Sequence, residues 1–193
     1  ACALRDELGF DLRDRMFADD AEALKATELT QPATFALEYA LARLWMSLGV
    51  TPVAMIGHSI GEFAAAVLAG VMSLGDAARL VARRGRLMQA LPAGAMLSVR
   101  LGAAELRARL PDVLSLAAEN ATNASVVSGA TGDIEAFRAA MEAEGVACRL
   151  LHTSHAFHSA MMDPVLDAFR AEVAAIALSP PTIRIVSTLT GAP

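Results

Sequence analysis

The chain has 193 residues, of which 55% are hydrophobic and 5% aromatic, and its interspersed charges sum to −5. A chain of this length can bury one sizeable core or two unequal subdomains, and the composition is typical of a globular protein. The sequence shows no basic stripe for nucleic acid, no apolar stretch long enough for a membrane and no targeting signal, so we expect a cytoplasmic protein. The two cysteines, Cys2 and Cys148, support neither a disulfide framework nor a metal site.

The first half of the chain predicts helices around one buried strand. Residues 29–48, LTQPATFALEYALARLWMSL, predict a helix with Thr30 as its cap and Pro32 in its first turn. Residues 52–56 predict a short buried strand, and a glycine-flanked serine separates this strand from a following helix. A further helix is predicted over residues 76–90. A strand that leads through a tight turn into a helix is typical of α/β proteins.

The pattern changes between residues 93 and 154, where strands and helices alternate in the order βαββαβ. This order is typical of a split ferredoxin-like unit. A predicted helix over residues 163–176 and the strand TIRIVST then return to the main body. We therefore predict an α/β-hydrolase-like core with a parallel sheet, formed by residues 1–92 and 155–193. Residues 93–154 form a ferredoxin-like subdomain inserted into that core.

The stretch AMIGHSIGEFAAA places Ser59 between Gly57 and Gly61, after the strand and before the helix. G-x-S-x-G in this context predicts a nucleophile elbow, a sharp turn that exposes the serine hydroxyl above the edge of the sheet. The backbone N–H of Ile60, at the positive end of the helix, would then point towards an oxyanion formed by attack on a carbonyl. The alternative is an ordinary strand-to-helix turn with Ser59 as the N-cap.

A nucleophilic serine needs a base to take its proton, and the chain has four histidines. His58 adjoins the serine around a sharp turn, where neighbouring side chains usually point apart. The other three lie in LLHTSHAFHSAMMDP, and His152 falls within a predicted strand, which favours a structural role. Active sites of α/β sheets gather in loops at strand ends, so His155 and His158 are both candidate bases, and spacing alone does not choose between them.

One arginine falls within the apolar face of the helix predicted over residues 76–90. At 3.6 residues per turn Arg84 lies at the centre of that face, Arg83 at its edge and Arg86 on the far side. A buried guanidinium is costly unless an anion pairs with it. An internal salt bridge, or a side chain that extends to solvent, would account for Arg84 structurally. The functional alternative is a substrate carboxylate that the guanidinium binds bidentately.

These residues lie in motifs that extend over nearly the whole chain, namely TQPATFALEYALARLW, GHSIGEFAAAVLAGVMSL, RRGRLMQALPAGAML, VVSG and HTSHAFHSAMMDPVL. In order and spacing they resemble the acyltransferase domains of modular polyketide synthases, which are related to malonyl-CoA:acyl-carrier-protein transacylases. The resemblance implies that Ser59 is the acyl-accepting nucleophile and His158 the base. It also implies that the Ile60 N–H forms half of the oxyanion hole.

The resemblance further implies which residues bind the substrate. Arg84 would bind the malonyl carboxylate, and Phe157, His58 and His155 would belong to the same binding site. The sequence HAFH and the residue at the Ile60 position resemble the malonyl-selective members of the family. In these, Phe157 takes up the space that a methylmalonyl methyl group would need.

The implied chemistry is ping-pong acyl transfer in polyketide biosynthesis. Ser59 attacks the thioester of malonyl-CoA, and His158 takes its proton and returns it to the departing CoA thiol. The phosphopantetheine thiol of an acyl carrier protein then attacks the malonyl-serine ester. The implied partners are the acyl-CoA substrate, this carrier protein and neighbouring synthase domains, with no bound cofactor, metal, nucleic acid or membrane.

The family pattern includes segments that this sequence lacks at both ends. Family domains begin with a strand and a GQG turn, whose glutamine N–H gives the other half of the oxyanion hole. They also continue past VSTLTGAP, through a segment that orients the histidine. The loss of one oxyanion donor costs about a hundredfold to a thousandfold in rate. We therefore expect the 193 residues alone to be weakly active, inactive or poorly folded, and an extended domain to be active.

Two other functions fit parts of the sequence. An α/β serine hydrolase, such as a thioesterase or esterase, would need an acid between serine and histidine. Asp133 is the best-placed acid in sequence, although the start of a predicted helix also suits it as an N-cap. The second alternative is a catalytically silent interaction domain, for which the predicted exposed faces offer no distinctive apolar or charged patch.

Overall fold

The computed structural model of the protein describes residues 2–20 and 22–193. In chain order the α-helices are α1 Cys2–Leu8, α2 Leu12–Met16, α3 Thr27–Ser47, α4 Gly61–Leu68, α5 Leu74–Gln89, α6 Ala103–Arg107, α7 Thr131–Ala143 and α8 Leu166–Ala174. The strands are β1 Ala54–Ile56, β2 Ala95–Val99, β3 Ser115–Ala121, β4 Ala124–Gly129, β5 Cys148–Leu150 and β6 Arg184–Val186, and 3₁₀ helices cover Ala23–Lys25 and Ala160–Val165. Across these two described ranges, no helix combines the length and the apolar character that a membrane span requires.

The chain divides into two compact units. The first comprises the chain up to Leu87 together with Ala168–Pro193, and the second comprises Met88–Asp167. In the first unit, β1 and β6 form a parallel pair in which Ala54 lies opposite Arg184. The prediction of a buried strand over residues 52–56 is wrong in its burial, because Ala54 and Ile56 of β1 are exposed. Apolar side chains of α1 to α5 form its core, namely Leu4, Leu12, Phe35, Ala64, Ala77, Ala78, Val81 and Ala82. Most of the residues that α4 and α5 contribute to this core are alanines.

Helix α3 begins earlier than the sequence predicts. It starts at Thr27, and the extended residue Ala26 precedes it as an N-cap without a side-chain bond. Thr30 lies inside the helix, where its hydroxyl donates to the Ala26 carbonyl at 3.0 Å, so the prediction of Thr30 as the cap is wrong. Pro32 consequently falls in the second turn rather than the first. The helix ends near the predicted position because Gly49, with φ of +90°, turns the chain out of it.

The outer face of α3 carries an apolar stripe that the sequence analysis did not identify. Five large side chains at helical spacing are each at least half exposed, namely Leu37, Leu41, Leu44, Trp45 and Leu48. The expectation that the exposed faces carry no distinctive apolar patch is therefore wrong. The helix is apolar on more than one side, and the sequence alone did not show which side its own unit covers.

The second unit is a four-stranded antiparallel sheet with the strand order β3-β4-β2-β5. This order, with βαββαβ connectivity, is that of a ferredoxin-like fold. Helices α6 and α7 pack on one face of the sheet through a core that comprises Leu97, Val99, Leu106, Leu114, Val127, Ile134, Phe137 and Met141. The predicted fold class, an α/β core with a parallel sheet and an inserted ferredoxin-like unit, is confirmed.

The second unit extends beyond residues 93–154 because the loop after β5 packs on the start of β2. The Gly94 N–H donates to the Ser154 carbonyl at 3.2 Å. A Cβ on Gly94 would lie 2.6 Å from the Cβ of Ala156, so the contact requires glycine. Downstream, the helix predicted over residues 163–176 is shorter: a 3₁₀ helix that contains Pro164 covers Ala160–Val165, and α8 follows it over Leu166–Ala174.

Candidate active site

The connection from β1 to α4 places Ser59 in a strained turn. Its φ of +53° lies in the left-handed region, which costs a residue with a side chain about 1–2 kcal/mol. A Cβ on Gly57 would lie 2.3 Å from the backbone nitrogen of Glu62, so this position accepts only glycine. The N-cap of α4 is Ile60, not Ser59. The geometry is that of the sharp elbow that the motif predicts, and it disfavours the alternative of an ordinary capped turn.

The backbone amide of Ile60 lies at the positive end of α4. The N–H groups of the next three residues donate back to the carbonyls of His58, Ser59 and Ile60 at 3.0–3.1 Å. The Ile60 N–H itself donates to no acceptor within residues 2–20 and 22–193. A helix N-terminus with an unused amide can stabilise the negative charge that forms on the oxygen of a carbonyl group when the serine oxygen attacks its carbon.

Arg84 is largely buried on α5, in the same unit as the elbow. Its Nη1 donates to Oε1 of Gln31 at 2.7 Å, and its guanidinium carbon lies 6.0 Å from the centre of the Phe63 ring, one helical turn after Ser59. Burial lowers the pKa of Arg84 to about 10, because desolvation disfavours the charged form. No carboxylate among the described residues pairs with this guanidinium. The internal salt bridge that the sequence left open is therefore not observed in that part of the chain.

Gly85 allows α5 to approach α3. A Cβ at this position would lie 3.0 Å from the Cα of Glu28 and 3.2 Å from the carbonyl oxygen of Thr27. This close packing brings the side chain of Gln31, which is 7% exposed, to Arg84. The sequence patterns did not identify Gln31 as a site residue. A polar side chain within the buried stripe of α3 is the signal that could have identified it.

His155 and His158 lie in very different surroundings within the second unit. His155 is 3% exposed, and its Nε2–H donates to the Leu91 carbonyl at 3.2 Å. Its Nδ1 therefore accepts a 2.8 Å hydrogen bond from the hydroxyl of Ser154. His158 is exposed and has a φ of +59°. A buried ring with both nitrogens engaged is poorly placed to act as a base, and His158 remains the base that the resemblance implies.

Phe157 stacks against His155, with ring centres 6.1 Å apart and planes inclined by 35°. The two hydrogen bonds of His155 hold one side of this stack in place. This arrangement favours a supporting role for His155 over the direct substrate contact expected from the sequence. His58, the remaining candidate, is exposed beside Ser59 in the first unit.

Asp133, the acid considered for a hydrolase, is exposed in the first turn of α7. The N-cap of this helix is Ala130, so the prediction of Asp133 as an N-cap is wrong. A carboxylate in the first turn interacts favourably with the helix dipole, which accounts for Asp133 without catalysis.

Comparison with known proteins identifies the family. Residues 1–193 match the family model described as "Acyl transferase domain". The chain is 49% identical over 181 residues to mycoketide-CoA synthase of Mycobacterium tuberculosis (strain ATCC 25618 / H37Rv), an alignment that covers 93% of this chain and 4% of that protein.

Two solved structures show the same fold. The acyltransferase domain from the second module of the salinomycin polyketide synthase matches with a TM-score of 0.91 and 47% identity, over 98% of this chain and 46% of that one. The malonyl CoA-acyl carrier protein transacylase (fabD) from Coxiella burnetii matches with a TM-score of 0.87 and 30% identity, over 96% of this chain and 62% of that one. The chain therefore spans less than two thirds of each of these relatives.

Proposed function

Since this chain belongs to the acyl transferase domain family, as its motifs predicted, we propose that it transfers a malonyl group from malonyl-CoA to an acyl carrier protein. The acyl group passes through an ester on Ser59 and is received by the phosphopantetheine thiol of the carrier protein. The salinomycin relative is named as a domain of a polyketide synthase and the Coxiella relative is named for malonyl-CoA and acyl carrier protein, which supports both assignments. Neighbouring synthase domains are the other proposed partners, and the reaction needs no bound cofactor.

Arg84 is the observation that carries the choice of a malonyl group. A largely buried guanidinium with no carboxylate partner among the described residues gains more from an anionic ligand than from water. Malonyl-CoA presents a free carboxylate at the end of its acyl group, and acetyl-CoA does not. The guanidinium of Arg84 on α5 lies 6.0 Å from the ring of Phe63 on α4, so the carboxylate-binding group lies beside the helix that follows the nucleophile.

The proposed reaction assigns one role to each group. The Ser59 oxygen attacks the thioester carbonyl while His158 takes its proton, and the Ile60 N–H stabilises the oxyanion. The C–S bond then breaks, and His158 returns the proton to the CoA sulfur. In the second half, the phosphopantetheine thiol gives its proton to His158 and attacks the ester, and Ser59 leaves with that proton. Arg84 holds the malonyl carboxylate throughout, which orients the ester for the thiol and favours transfer over hydrolysis.

Selectivity at C2 is assigned to Phe157. Its ring, supported by His155, would occupy the space of a methyl group on C2 and so favour malonyl over methylmalonyl. His58, exposed beside the nucleophile, is proposed to contact the same substrate.

Steady-state kinetics of the full-length protein test the proposal. With malonyl-CoA and a phosphopantetheine-bearing carrier protein as substrates, a ping-pong reaction predicts parallel double-reciprocal lines. We expect Arg84→Ala to lower kcat/KM for malonyl-CoA about a hundredfold and to leave acetyl-CoA nearly unaffected. Arg83→Ala is the matched control, because Arg83 is exposed and pairs with Glu172 at 2.8 Å. Intersecting lines, or an unchanged malonyl-to-acetyl ratio in Arg84→Ala, would contradict the proposal.

A further inference from the structure

We propose that Gln31 is a positioning residue for Arg84, which fixes the guanidinium and, being neutral, leaves its charge available to the substrate carboxylate. This inference rests on the proposed function, in which Arg84 binds that carboxylate. Gln31 acts through Arg84 and is assigned no contact of its own with the substrate.

The geometry restricts the guanidinium from two sides. Gln31 Oε1 accepts the 2.7 Å hydrogen bond from one side, and the ring of Phe63 lies 6.0 Å away on another. The amide is itself 7% exposed and held between helices that approach closely at Gly85. Arginine is long and flexible in solution, so restriction of its rotamers before the substrate arrives favours binding.

The neutrality of the amide matters as much as its position. A glutamate at residue 31 would accept the same hydrogen bond, but it would also cancel the positive charge of Arg84. A substrate carboxylate would then have to displace an internal one. With glutamine, one of the five guanidinium N–H groups is used for orientation, and the charge and the other donors stay available for bidentate binding.

The experiment compares two substrates in variants of the full-length protein. Acylation of Ser59 is measured with malonyl-CoA and with acetyl-CoA in Gln31→Glu and Gln31→Leu, together with the thermal midpoint of each variant. We expect Gln31→Glu to lower kcat/KM for malonyl-CoA about a hundredfold, chiefly through KM, and to leave acetyl-CoA nearly unchanged. Gln31→Leu should lower the malonyl value about tenfold. Asn123→Asp, the same amide-to-acid change at an exposed residue between β3 and β4, should change neither.

The other outcomes distinguish failure of this inference from failure of the proposed function. If the variants keep the wild-type malonyl-to-acetyl ratio, or lose both substrates equally as their thermal midpoints fall, Gln31 is only structural and the proposal is overturned. If Gln31→Glu does not fold, the ratio in Gln31→Leu decides in the same way. A wild-type protein that is not acylated by malonyl-CoA overturns the proposed function and this inference together. Malonyl acylation of the wild type with an unchanged ratio in the variants overturns this inference alone.

Discussion

Ser59 and His158 share a left-handed backbone conformation, with φ of +53° and +59°, that no other non-glycine residue within 2–20 and 22–193 adopts. Such a conformation costs about 1–3 kcal/mol and persists only where the surrounding structure enforces it. Strain of this kind concentrates at functional sites. Ser59 and His158, the proposed nucleophile and base, are thus the residues that adopt this strained backbone conformation.

The two glycines that flank Ser59 should respond differently to substitution. A Cβ on Gly57 would lie 2.3 Å from backbone atoms of Gly61 and Glu62, whereas a Cβ on Gly61 would lie 3.4 Å from Oε1 of Glu38, the end of a flexible side chain. We expect Gly57→Ala to lower the free energy of unfolding by about 1–3 kcal/mol and to abolish acylation of Ser59. Gly61→Ala should retain most of both. Urea unfolding and acylation rates provide the measurement, and equal losses in the two variants would contradict the assigned elbow geometry.

The pair formed by Arg84 and Gln31 should reduce the stability of the unliganded protein. The pKa of Arg84 is lowered to about 10 in the folded state, so the charged side chain lowers stability at every pH below about 10, and this effect is relieved only as the pH rises above that value. Arg84→Met alone would remove the hydrogen bond between Arg84 and the buried Gln31 amide, and we expect little net change. The double variant Arg84→Met/Gln31→Leu should be about 1–2 kcal/mol more stable than wild type at pH 7, without malonyl transfer.

Urea unfolding of the single and double variants at pH 7 measures this effect. Lower stability of the double variant than of wild type would show that the hydrogen bond and the Phe63 contact outweigh the desolvation of the guanidinium.

The sequence predicted those parts of the site that depend on neighbouring residues. Ser59 and Ile60 follow from a five-residue motif, and Arg84 follows from the periodicity of a single helix. Gln31 was missed because its role depends on a contact with Arg84, which lies 53 residues away in sequence and on another helix. His155 and His158 could not be separated because the carbonyl that accepts a hydrogen bond from the buried His155 ring belongs to Leu91, 64 residues away.

In the fold, too, features that depend on neighbouring residues were predicted, and features that depend on tertiary contacts were not. From α3 onwards the order of strands and helices, including the ferredoxin-like unit, follows from local patterns of apolar residues and turns, whereas α1 and α2 were not predicted. Helix ends were less predictable: Thr30 has the chemistry of a cap but donates to the preceding backbone instead. Whether one side of α3 is covered depends on tertiary contacts, so its periodicity did not reveal the exposed stripe.

Replacement of Phe157 should change the preference between extender units. If its ring fills the space of a C2 methyl group, Phe157→Ser should raise the use of methylmalonyl-CoA relative to malonyl-CoA about tenfold, since one methyl group in a pocket is worth about that much. Competition between the two substrates, resolved by the mass of the acylated protein, measures this ratio. Phe17→Ser, at a phenylalanine that is 81% exposed, is the control. An unchanged ratio in Phe157→Ser would show that Phe157 does not determine the preference for malonyl over methylmalonyl.

The stripe on α3 predicts the behaviour of the 193-residue chain in isolation. Contiguous exposed apolar side chains mark interaction or aggregation surfaces. Trp45 is the sole tryptophan and is 54% exposed, so it reports on this stripe directly. We expect red-shifted tryptophan emission and self-association that Leu41→Lys reduces. Blue-shifted emission from a monomeric sample would show that the stripe is covered by the chain itself.

The proposed function requires Ser59 to carry a malonyl group during turnover. The most direct test is intact-protein mass spectrometry of the full-length protein after brief exposure to malonyl-CoA, followed by mapping of the modified peptide, with Ser59→Ala in parallel. We predict that the wild type gains one malonyl group on the peptide that contains Ser59 and that Ser59→Ala gains none. Absence of the adduct from the wild type, or its persistence in Ser59→Ala, would contradict the proposed function.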